Sequence, residues 1–254
     1  MKNGIHKTFV LTGTLAAAVL VLWVIGCGKS KGKPLVQNAA YRAETLLRED
    51  FDGDLHRWFV SGQGRVEIGP DSTLHLGLGE SSDFLILWST REVSGNFQLE
   101  YTVRFPDSCG GHAVLFCAQG EGGKDITRMS PPPVDAVDAY LKDSLSCYQV
   151  SCHNYGPDGE HISSSRVRKN PGNLLLSSAG FDPCEANRDY IIDVFKLDNR
   201  IQFYVDGVLI HDLRDRGGFG PTYQTGKIGF LIKGRPGAFS AEFNRIRLYK
   251  LKLK

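Results

Sequence analysis

The residues best suited to chemistry lie in the middle of this 254-residue chain, in two short runs that flank a Gly-Pro-Asp-Gly turn. Apolar and polar residues alternate along both runs, which is typical of strands with one buried face. Because successive strand residues point to opposite sides, we expect the polar members of both runs on one sheet surface. That surface would carry five hydrogen-bonding or cationic groups: Gln149, Ser151, His153, Arg166 and Arg168.

The arginines of the second run indicate an acidic ligand. A guanidinium group binds a carboxylate through two parallel hydrogen bonds, so Arg166 and Arg168, with the neighbouring Lys169, are suited to a sugar acid. Ser151 and Asn170 would add hydrogen bonds to sugar hydroxyl groups. The alternative is a basic strand face that is simply exposed to solvent.

His153 is the candidate general base, because an unperturbed imidazole accepts a proton near neutral pH. Gln149 or Asn170 would neutralise a substrate carboxylate and Tyr155 would act as the acid, which together make a site for β-elimination of a uronate. The alternative is that His153 is an exposed strand-end residue with no catalytic role.

Aromatic residues with a free face would stack on a sugar ring. Trp88 and Tyr204 are the predicted stacking residues, and Trp58 is a third candidate. A place in the hydrophobic core is the alternative for Trp88, which lies in an apolar segment, and also for Trp58.

Glucanase-type chemistry is not expected from the acidic residues. Retaining glycosidases need two carboxylates about 5 Å apart, and no strand here carries a closely spaced set. The acids on the predicted strands are isolated: Glu67, Asp83, Glu100 and Asp193.

One short segment is a candidate for metal binding. Asp52 and Asp54 would supply hard oxygen ligands to a structural calcium ion, although an ordinary turn explains the Asp-Gly-Asp sequence equally well. No Cys-x-x-Cys or His-x-x-x-His spacing occurs, so a zinc site is not predicted. No other cofactor is predicted.

The first 27 residues indicate an export signal. A basic start precedes an uncharged apolar run at residues 9–25, and the run ends in a Val-Ile-Gly-Cys sequence that resembles a lipobox, with Cys27 as the lipidated residue. An uncleaved membrane anchor is the alternative, although 17 residues are short for one. Residues 28–43 would be a flexible tether, and the predicted location is the bacterial cell envelope, at the outer membrane or the periplasmic face.

Five cysteines remain after Cys27, an odd number for an exported chain. Cys109 and Cys184 both lie in loops beside Gly or Pro, and they are the predicted disulfide. Cys117 and Cys152 lie on predicted strands and are expected in the core.

From residue 44 to residue 254 the chain reads as one all-β domain. About a dozen short apolar runs are separated by turn residues, including an Asp-Gly hairpin turn at residues 206–207. A short helix is expected only at residues 134–141, and a shift of apolar parity near Asn244 predicts a β-bulge. This pattern favours a two-sheet antiparallel β-sandwich.

Two sets of residues resemble known families. Residues 199–210 resemble concanavalin A-like lectin and glucanase jelly rolls. Residues 87–89, 115–120, 147–151 and 168–172 are similar to the YesU-like family of bacterial proteins, a domain family of unknown function. This second resemblance covers most of residues 45–251 and implies a curved sandwich with a carbohydrate ligand, often in systems that take up and break down pectin or other plant polysaccharides.

The sequence therefore predicts a lipid-anchored jelly roll that binds or processes oligosaccharide or polysaccharide. Two alternatives stay open: a polysaccharide lyase or glycoside hydrolase acting on acidic oligosaccharides, and a non-catalytic interaction module of the cell envelope. With 30 basic and 28 acidic residues the net charge is only +2, so no nucleic-acid partner is expected.

Overall fold

A computed structural model of the protein describes residues 40–130, 132–133 and 135–254. The predicted export signal, Cys27 and most of the predicted tether lie outside the described residues. The first strand begins at Tyr41, so residues 41–43 of the predicted tether are part of the sheet. No helix in the described part of the chain is long and apolar enough to cross a membrane.

The described residues form two antiparallel sheets connected by short turns, with helical segments only in the connection between β7 and β8. The strands are β1 (Tyr41–Glu49), β2 (Trp58–Gly62), β3 (Gly64–Ile68), β4 (Leu74–Leu78), β5 (Phe84–Ser94), β6 (Phe97–Arg104), β7 (Gly111–Gly120), β8 (Leu145–Asn154), β9 (Ser165–Asn170), β10 (Leu174–Ala179), β11 (Asp189–Leu197), β12 (Arg200–Val205), β13 (Val208–Arg214), β14 (Thr225–Lys233) and β15 (Ser240–Leu253). The helical segments are the 3-10 turns Glu121–Gly123 and Ile126–Arg128, helix α1 (Val137–Ala139), and the π-helical turn Tyr140–Ser144.

The strand order confirms the predicted two-sheet sandwich. One sheet has the order β13-β12-β11-β6-β15-β4-β3, with β1 also paired to β15, and the other has the order β10-β9-β8-β7-β14-β5-β2. We call them the eight-stranded and the seven-stranded sheet. The predicted bulge near Asn244 is confirmed, because the register of β15 against β6 shifts between Phe243 and Arg245.

The main core lies between the two sheets. Alternate residues of each strand point inward, so that Leu99 and Tyr101 of β6 face Val150 of β8 and Phe230 of β14. Each such side chain, when fully buried, contributes about 1.5–3 kcal/mol relative to exposure. The polar residues between them on each strand are thereby directed to the two outer faces.

A second apolar cluster lies on the outer face of the seven-stranded sheet. Residues 121–144, which connect β7 to β8, place Tyr140 and Leu141 over Trp88 and other apolar residues of β5, β7 and β14. Exposure of this outer face rises toward β9, where Arg166 is exposed and Arg168 is half-buried. The connection therefore covers β5, β7 and β14, while on β8 and β9 Gln149 is buried and Ser151, Arg166 and Arg168 are at least partly exposed.

The predicted disulfide between Cys109 and Cys184 is wrong, because the five cysteines of the described chain are free thiols. The Cys109 thiol donates a hydrogen bond to the Ala238 carbonyl at 2.8 Å. Cys184 instead packs in the inter-sheet core with Cys152. One oxygen of Asp182 accepts the backbone N–H groups of His153 and Cys184, at 2.8 and 3.1 Å, which holds the Cys184 loop against the end of β8.

Candidate functional site

Strands β8 and β9 lie side by side and bring four of the predicted site residues into register. Gln149 pairs with Arg168, and Ser151 pairs with Arg166. Because Val150 and its inward-facing neighbours fill the core, these four side chains belong to the outer face. We call them the β8–β9 face.

Asn170 belongs to the same face but is fully buried. Its side-chain amide donates to the Gln149 side-chain oxygen at 3.3 Å, and its own oxygen accepts the N–H of Asn173 at 3.1 Å. The guanidinium of Arg168 donates to the Asn173 carbonyl at 2.7 Å. Asn170 is therefore a positioning residue, and the turn after β9 fixes both members of the Gln149–Arg168 pair.

The two cations of the face differ in their surroundings. Burial, and secondarily the charge of Arg166, lowers the pKa of Arg168. The backbone N–H of Arg166 donates to the Ser151 hydroxyl at 3.2 Å, while its guanidinium extends to the surface. An anion placed here would relieve the repulsion between the two guanidinium groups.

A pocket of about 460 Å³ adjoins this face and includes Arg166. It lies at the end of the seven-stranded sheet, between α1 and the residues 155–164 that connect β8 to β9. Polar residues of its lining lie in or beside β5, α1, β8, β9 and β14. They are Asp83, Asp138, Asn154, Tyr155, Ser164, Arg166 and Lys233. We call it the Arg166 pocket.

The Arg166 pocket holds charges of both signs. Lys233 Nζ lies 3.3 Å from the Asp138 carboxylate, and both side chains are exposed. One carboxylate oxygen of Asp83 is buried without a hydrogen-bond partner among the described residues. Burial, and then the charges of Asp138 and Asp135, raises the pKa of Asp83. This oxygen is suited to accept a hydrogen bond from a ligand hydroxyl group.

The sequence reasoning missed Lys233 and Asp138, and it treated Asp83 only as an isolated acid. A signal was present, because Asp83 and Lys233 are charged residues at the ends of the apolar strands β5 and β14. Antiparallel pairing of Phe84 with Lys233 then places both charges at the same end of the sheet.

His153 does not share the face of Gln149, and that part of the prediction is wrong. Its backbone has a φ of +56°, which turns the imidazole toward the inter-sheet side. The ring is fully buried, stacks on Phe105 and Phe239 with centroids 4.3 and 5.3 Å apart, and donates from Nε2 to the Asp107 carbonyl at 3.0 Å. Burial lowers the pKa of His153 to about 4, so this residue is not placed to act as the general base.

Tyr155 lines the Arg166 pocket, and the backbone reaches its hydroxyl oxygen. It accepts a hydrogen bond from the Ala186 N–H at 3.3 Å. The ring lies between His153 and His161, with centroid distances of 4.7 and 4.6 Å. Tyr155 therefore forms a wall of the pocket, with its ring held between the two histidines.

The predicted stacking residues are not displayed to a ligand. Trp88 is fully buried beneath residues 121–144, and its ring lies so close to Gly229 that a Cβ at Gly229 would be 2.5 Å from it. Tyr204 belongs to β12 of the other sheet, where it packs with Phe195. The indole N–H of Trp58 donates to Glu49 at 3.3 Å within the core.

Lys169 points to the opposite side from Arg168 and does not contribute to the β8–β9 face. Its ammonium group is buried, 2.7 Å from the Asp215 carboxylate and 2.9 Å from the Gly220 carbonyl. The Tyr148 hydroxyl donates to the same carboxylate oxygen at 2.7 Å. This buried network joins β8 and β9 to the loop before β14.

The calcium expectation at Asp52 and Asp54 has no support in the arrangement of ligands. Asp54 accepts hydrogen bonds from the backbone and ring of His56. Within residues 40–254, leaving aside positions 131 and 134, no three His, Cys, Asp or Glu side chains gather closely enough to hold a metal ion.

Two antiparallel sheets packed face to face make this domain a β-sandwich of the jelly-roll class. A polar patch lies on one outer face of the sandwich. The chain belongs to the family described as "Domain of unknown function (DUF1961)", which matches residues 44–237. No curated protein gives a significant match to the sequence.

Several solved structures share this fold. A protein of unknown function with a galectin-like fold from Bacillus subtilis is 18% identical, with a TM-score of 0.74 over 84% of this chain and all of that chain. The carbohydrate-binding module CBM66 from Bacillus subtilis is 14% identical, with a TM-score of 0.52 over 76% of this chain and 96% of that chain. The lumenal domain of VIP36, bound to Ca²⁺ and Man3GlcNAc, is 13% identical, with a TM-score of 0.57 over 84% of this chain and 92% of that chain.

Proposed function

We propose that this protein binds carbohydrate at the β8–β9 face and the adjoining Arg166 pocket. The observation that carries the proposal is the register that pairs Gln149 with Arg168 and Ser151 with Arg166 beside a 460 Å³ pocket. Solved structures of the same fold include a carbohydrate-binding module and a lumenal domain bound to Man3GlcNAc, which supports the proposal.

The chemistry of the lining suits a sugar. Binding pockets for small molecules are commonly 300–1,000 Å³ and use a few fixed polar groups for orientation. The unpaired oxygen of Asp83 would accept a hydrogen bond from a hydroxyl group, and Gln149, fixed by Asn170, would bind another. The wall formed by Tyr155 would contact the apolar face of a sugar ring.

The finer proposal is an acidic oligosaccharide of the pectin type. Arg166 and Lys233 would bind a uronate carboxylate from two sides of the pocket. The competing partner of Lys233 is Asp138, and an ion pair between exposed groups contributes little. A ligand carboxylate can therefore replace Asp138 at small cost. The YesU-like assignment within the family, and a role in plant polysaccharide utilisation, belong to this finer proposal.

Binding without turnover is the form of the function that the geometry favours. His153, the predicted base, is buried with a lowered pKa and does not belong to the lining of the pocket. Tyr155 lines the pocket, but without that base it does not complete the predicted elimination site. The proposed function therefore assigns neither residue a catalytic role.

Calorimetric titration with oligogalacturonate and with a neutral oligosaccharide of equal length tests both levels of the proposal. Replacing Arg166 by Ala should weaken oligogalacturonate binding at least tenfold, because a charge-assisted hydrogen bond is lost. The matched control is Arg65→Ala, which removes an exposed arginine of β3 on the other sheet and should leave affinity unchanged. Equal loss in both variants, or no binding of either sugar, would contradict carbohydrate recognition at this site. Preference for the neutral sugar would contradict only the acidic ligand.

We also propose that the protein is exported and anchored through an acylated Cys27. Mass spectrometry of the intact protein from membranes of a bacterial host should detect a diacylglyceryl group on Cys27 as the new N-terminus. The Cys27→Ser variant should lose this group and leave the membrane fraction. An unmodified, uncleaved N-terminus would contradict the proposal.

A further inference from the structure

A second hollow, of about 500 Å³, lies at the far edge of the sandwich from the β8–β9 face. It is formed where β1 of the eight-stranded sheet meets β5 and the start of β2 of the seven-stranded sheet. Three arginines and no acidic residue belong to its lining. The lining residues are Leu46, Leu47, Arg48, Arg57, Ser89, Thr90 and Arg91. We call it the arginine pocket.

A β-bulge prepares the position of Arg91. The register of β1 against β15 shifts between Thr45 and Leu47, which leaves Leu46 as the extra residue. The Leu46 carbonyl accepts a hydrogen bond from Arg91 Nη1 at 2.7 Å. Only this one of the five guanidinium donors of Arg91 has a partner among the hydrogen bonds of the described chain.

Arg57 is held by the same strand. Its Nη1 donates to the Arg48 carbonyl at 3.2 Å, and its own carbonyl accepts both the N–H and the hydroxyl of Thr90, at 2.8 and 3.0 Å. The Ser89 hydroxyl accepts the N–H of Arg91 at 3.0 Å within β5. The guanidinium groups of Arg57 and Arg91 are therefore positioned by backbone carbonyls.

The three arginines of the lining differ in their carboxylate partners. Asp50 is shared by Arg48, at 2.8 Å, and Arg247. Glu49 is buried, accepts the Trp58 indole N–H, and lies 4.0 Å from Arg57. Arg91 has no carboxylate within 4.0 Å in the described part of the chain. Arg91 is therefore the arginine of the lining that is most open to an added anion.

We propose that the arginine pocket binds the phosphate or sulfate group of an anionic ligand. A tetrahedral oxyanion accepts hydrogen bonds from several guanidinium donors at once, and its charge offsets the repulsion between Arg57 and Arg91. This site is separate from the Arg166 pocket and does not depend on the proposed sugar ligand.

Another arginine cluster serves as the internal comparison. Arg200, Arg214 and Arg216 line a surface hollow together with Asp212. Arg200 Nε lies 2.7 Å from an Asp212 oxygen, so a carboxylate already fills the position that an anion would take. This second cluster is expected to bind no oxyanion.

The test is titration of the full chain with inorganic phosphate and with inorganic sulfate, followed through the Nε–Hε signals of ¹⁵N-labelled arginine. Saturable shifts are expected for Arg57 and Arg91. Arg57→Gln and Arg91→Gln should each weaken binding about tenfold or more, and Arg216→Gln should not weaken it. Linear shifts without saturation, or equal weakening by Arg216→Gln, would overturn the proposal.

Vesicles then distinguish the source of the group. Sedimentation with phosphatidylglycerol vesicles that inorganic phosphate competes away would identify a lipid headgroup as the ligand. No sedimentation, together with saturable binding of the free ions, would identify a soluble phosphate or sulfate ester. Neither readout involves sugar, so a negative result at the arginine pocket leaves the proposed carbohydrate function intact. A negative result in the sugar titrations likewise leaves the proposed oxyanion site intact.

Discussion

Asp193 and Glu100 are direct cross-strand partners on the outer face of the eight-stranded sheet. The Gln98 amide donates to Asp193 at 2.7 Å, and Arg245 lies 2.9 Å from Glu100. The expectation that these acids are isolated is therefore wrong, because the strand pairing joins residues that are 93 positions apart in the chain. Yet Asp193 is only 5% exposed and Glu100 only 9%, so the pair is not displayed as glycosidase carboxylates are.

The first prediction concerns the pH dependence that Asp193 imposes. Burial, with a contribution from the charge of Glu100, raises the pKa of Asp193 to about 6, from 3.8 when unfolded. The folded state then binds the proton more tightly, so this group's contribution to stability is present below pH 4 and is lost as pH rises through 6. Asp193→Asn should be about 3 kcal/mol more stable than wild type at pH 8, with little difference at pH 4. Urea unfolding at pH 8 and at pH 4 measures the difference in unfolding free energy between the variant and the wild type. The same difference at both pH values would contradict the prediction.

The second prediction is the opposite dependence for buried His153. Its folded pKa of about 4 lies below the unfolded value of 6.5, so its contribution to stability is present above pH 6.5 and is lost as pH falls toward 4. Replacement by Phe keeps the stacking on Phe105. Between pH 6.5 and pH 4 the variant should lose about 3 kcal/mol less unfolding free energy than the wild type. Thermal unfolding against pH is the measurement, with His56→Phe as an exposed control. His153→Phe should also retain sugar binding, which a ligand-contacting histidine would not allow.

The third prediction concerns the buried ion pair of Lys169 and Asp215. Lys169→Met leaves an uncompensated carboxylate in a desolvated position, which should cost about 3–5 kcal/mol of unfolding free energy. Lys169→Met combined with Asp215→Leu should recover part of that loss, because both charges are gone. Breaking the exposed Arg65–Glu67 pair by Arg65→Gln should cause no measurable change in the free energy of unfolding. A double variant less stable than Lys169→Met alone would contradict this account.

The fourth prediction tests whether Trp88 belongs to the core. Gly229→Ala would place a methyl group against the Trp88 ring, so we expect a loss of about 1–3 kcal/mol and a change in tryptophan fluorescence. Gly53→Ala is the control, because a Cβ there meets no atom within 4 Å. Trp88→Phe should leave carbohydrate affinity unchanged. A loss of affinity in that variant would show that Trp88 contacts the ligand after all.

Local periodicity was sufficient for most of the fold. The alternation along β6 and β8, the Asp206–Gly207 turn and the parity shift near Asn244 depend on neighbouring residues, so they are visible in the sequence. The common face of Gln149 and Arg168 followed from the same rule once the two runs were taken as neighbours.

The features that sequence reasoning missed depend on long-range placement. The positive φ of His153 reverses its side within an otherwise regular strand, and no residue type signals that reversal. Trp88 lies on the outer face of the seven-stranded sheet, but residues 121–144 cover it. That connection begins 33 residues later in the chain, so its position over Trp88 is not visible locally. Tyr204 also faces outward, but from the other sheet, which only the strand order decides.

The cover that residues 121–144 place over β5, β7 and β14 limits how a polymer can approach. A glycan that crossed the full width of that sheet would meet the apolar side chains that cover β5, β7 and β14. If the β8–β9 face binds sugar, it would meet a chain terminus, with the remainder of the polymer extending into solvent. Affinity should then level off after the first few sugar units and should vanish for chains capped at the bound end.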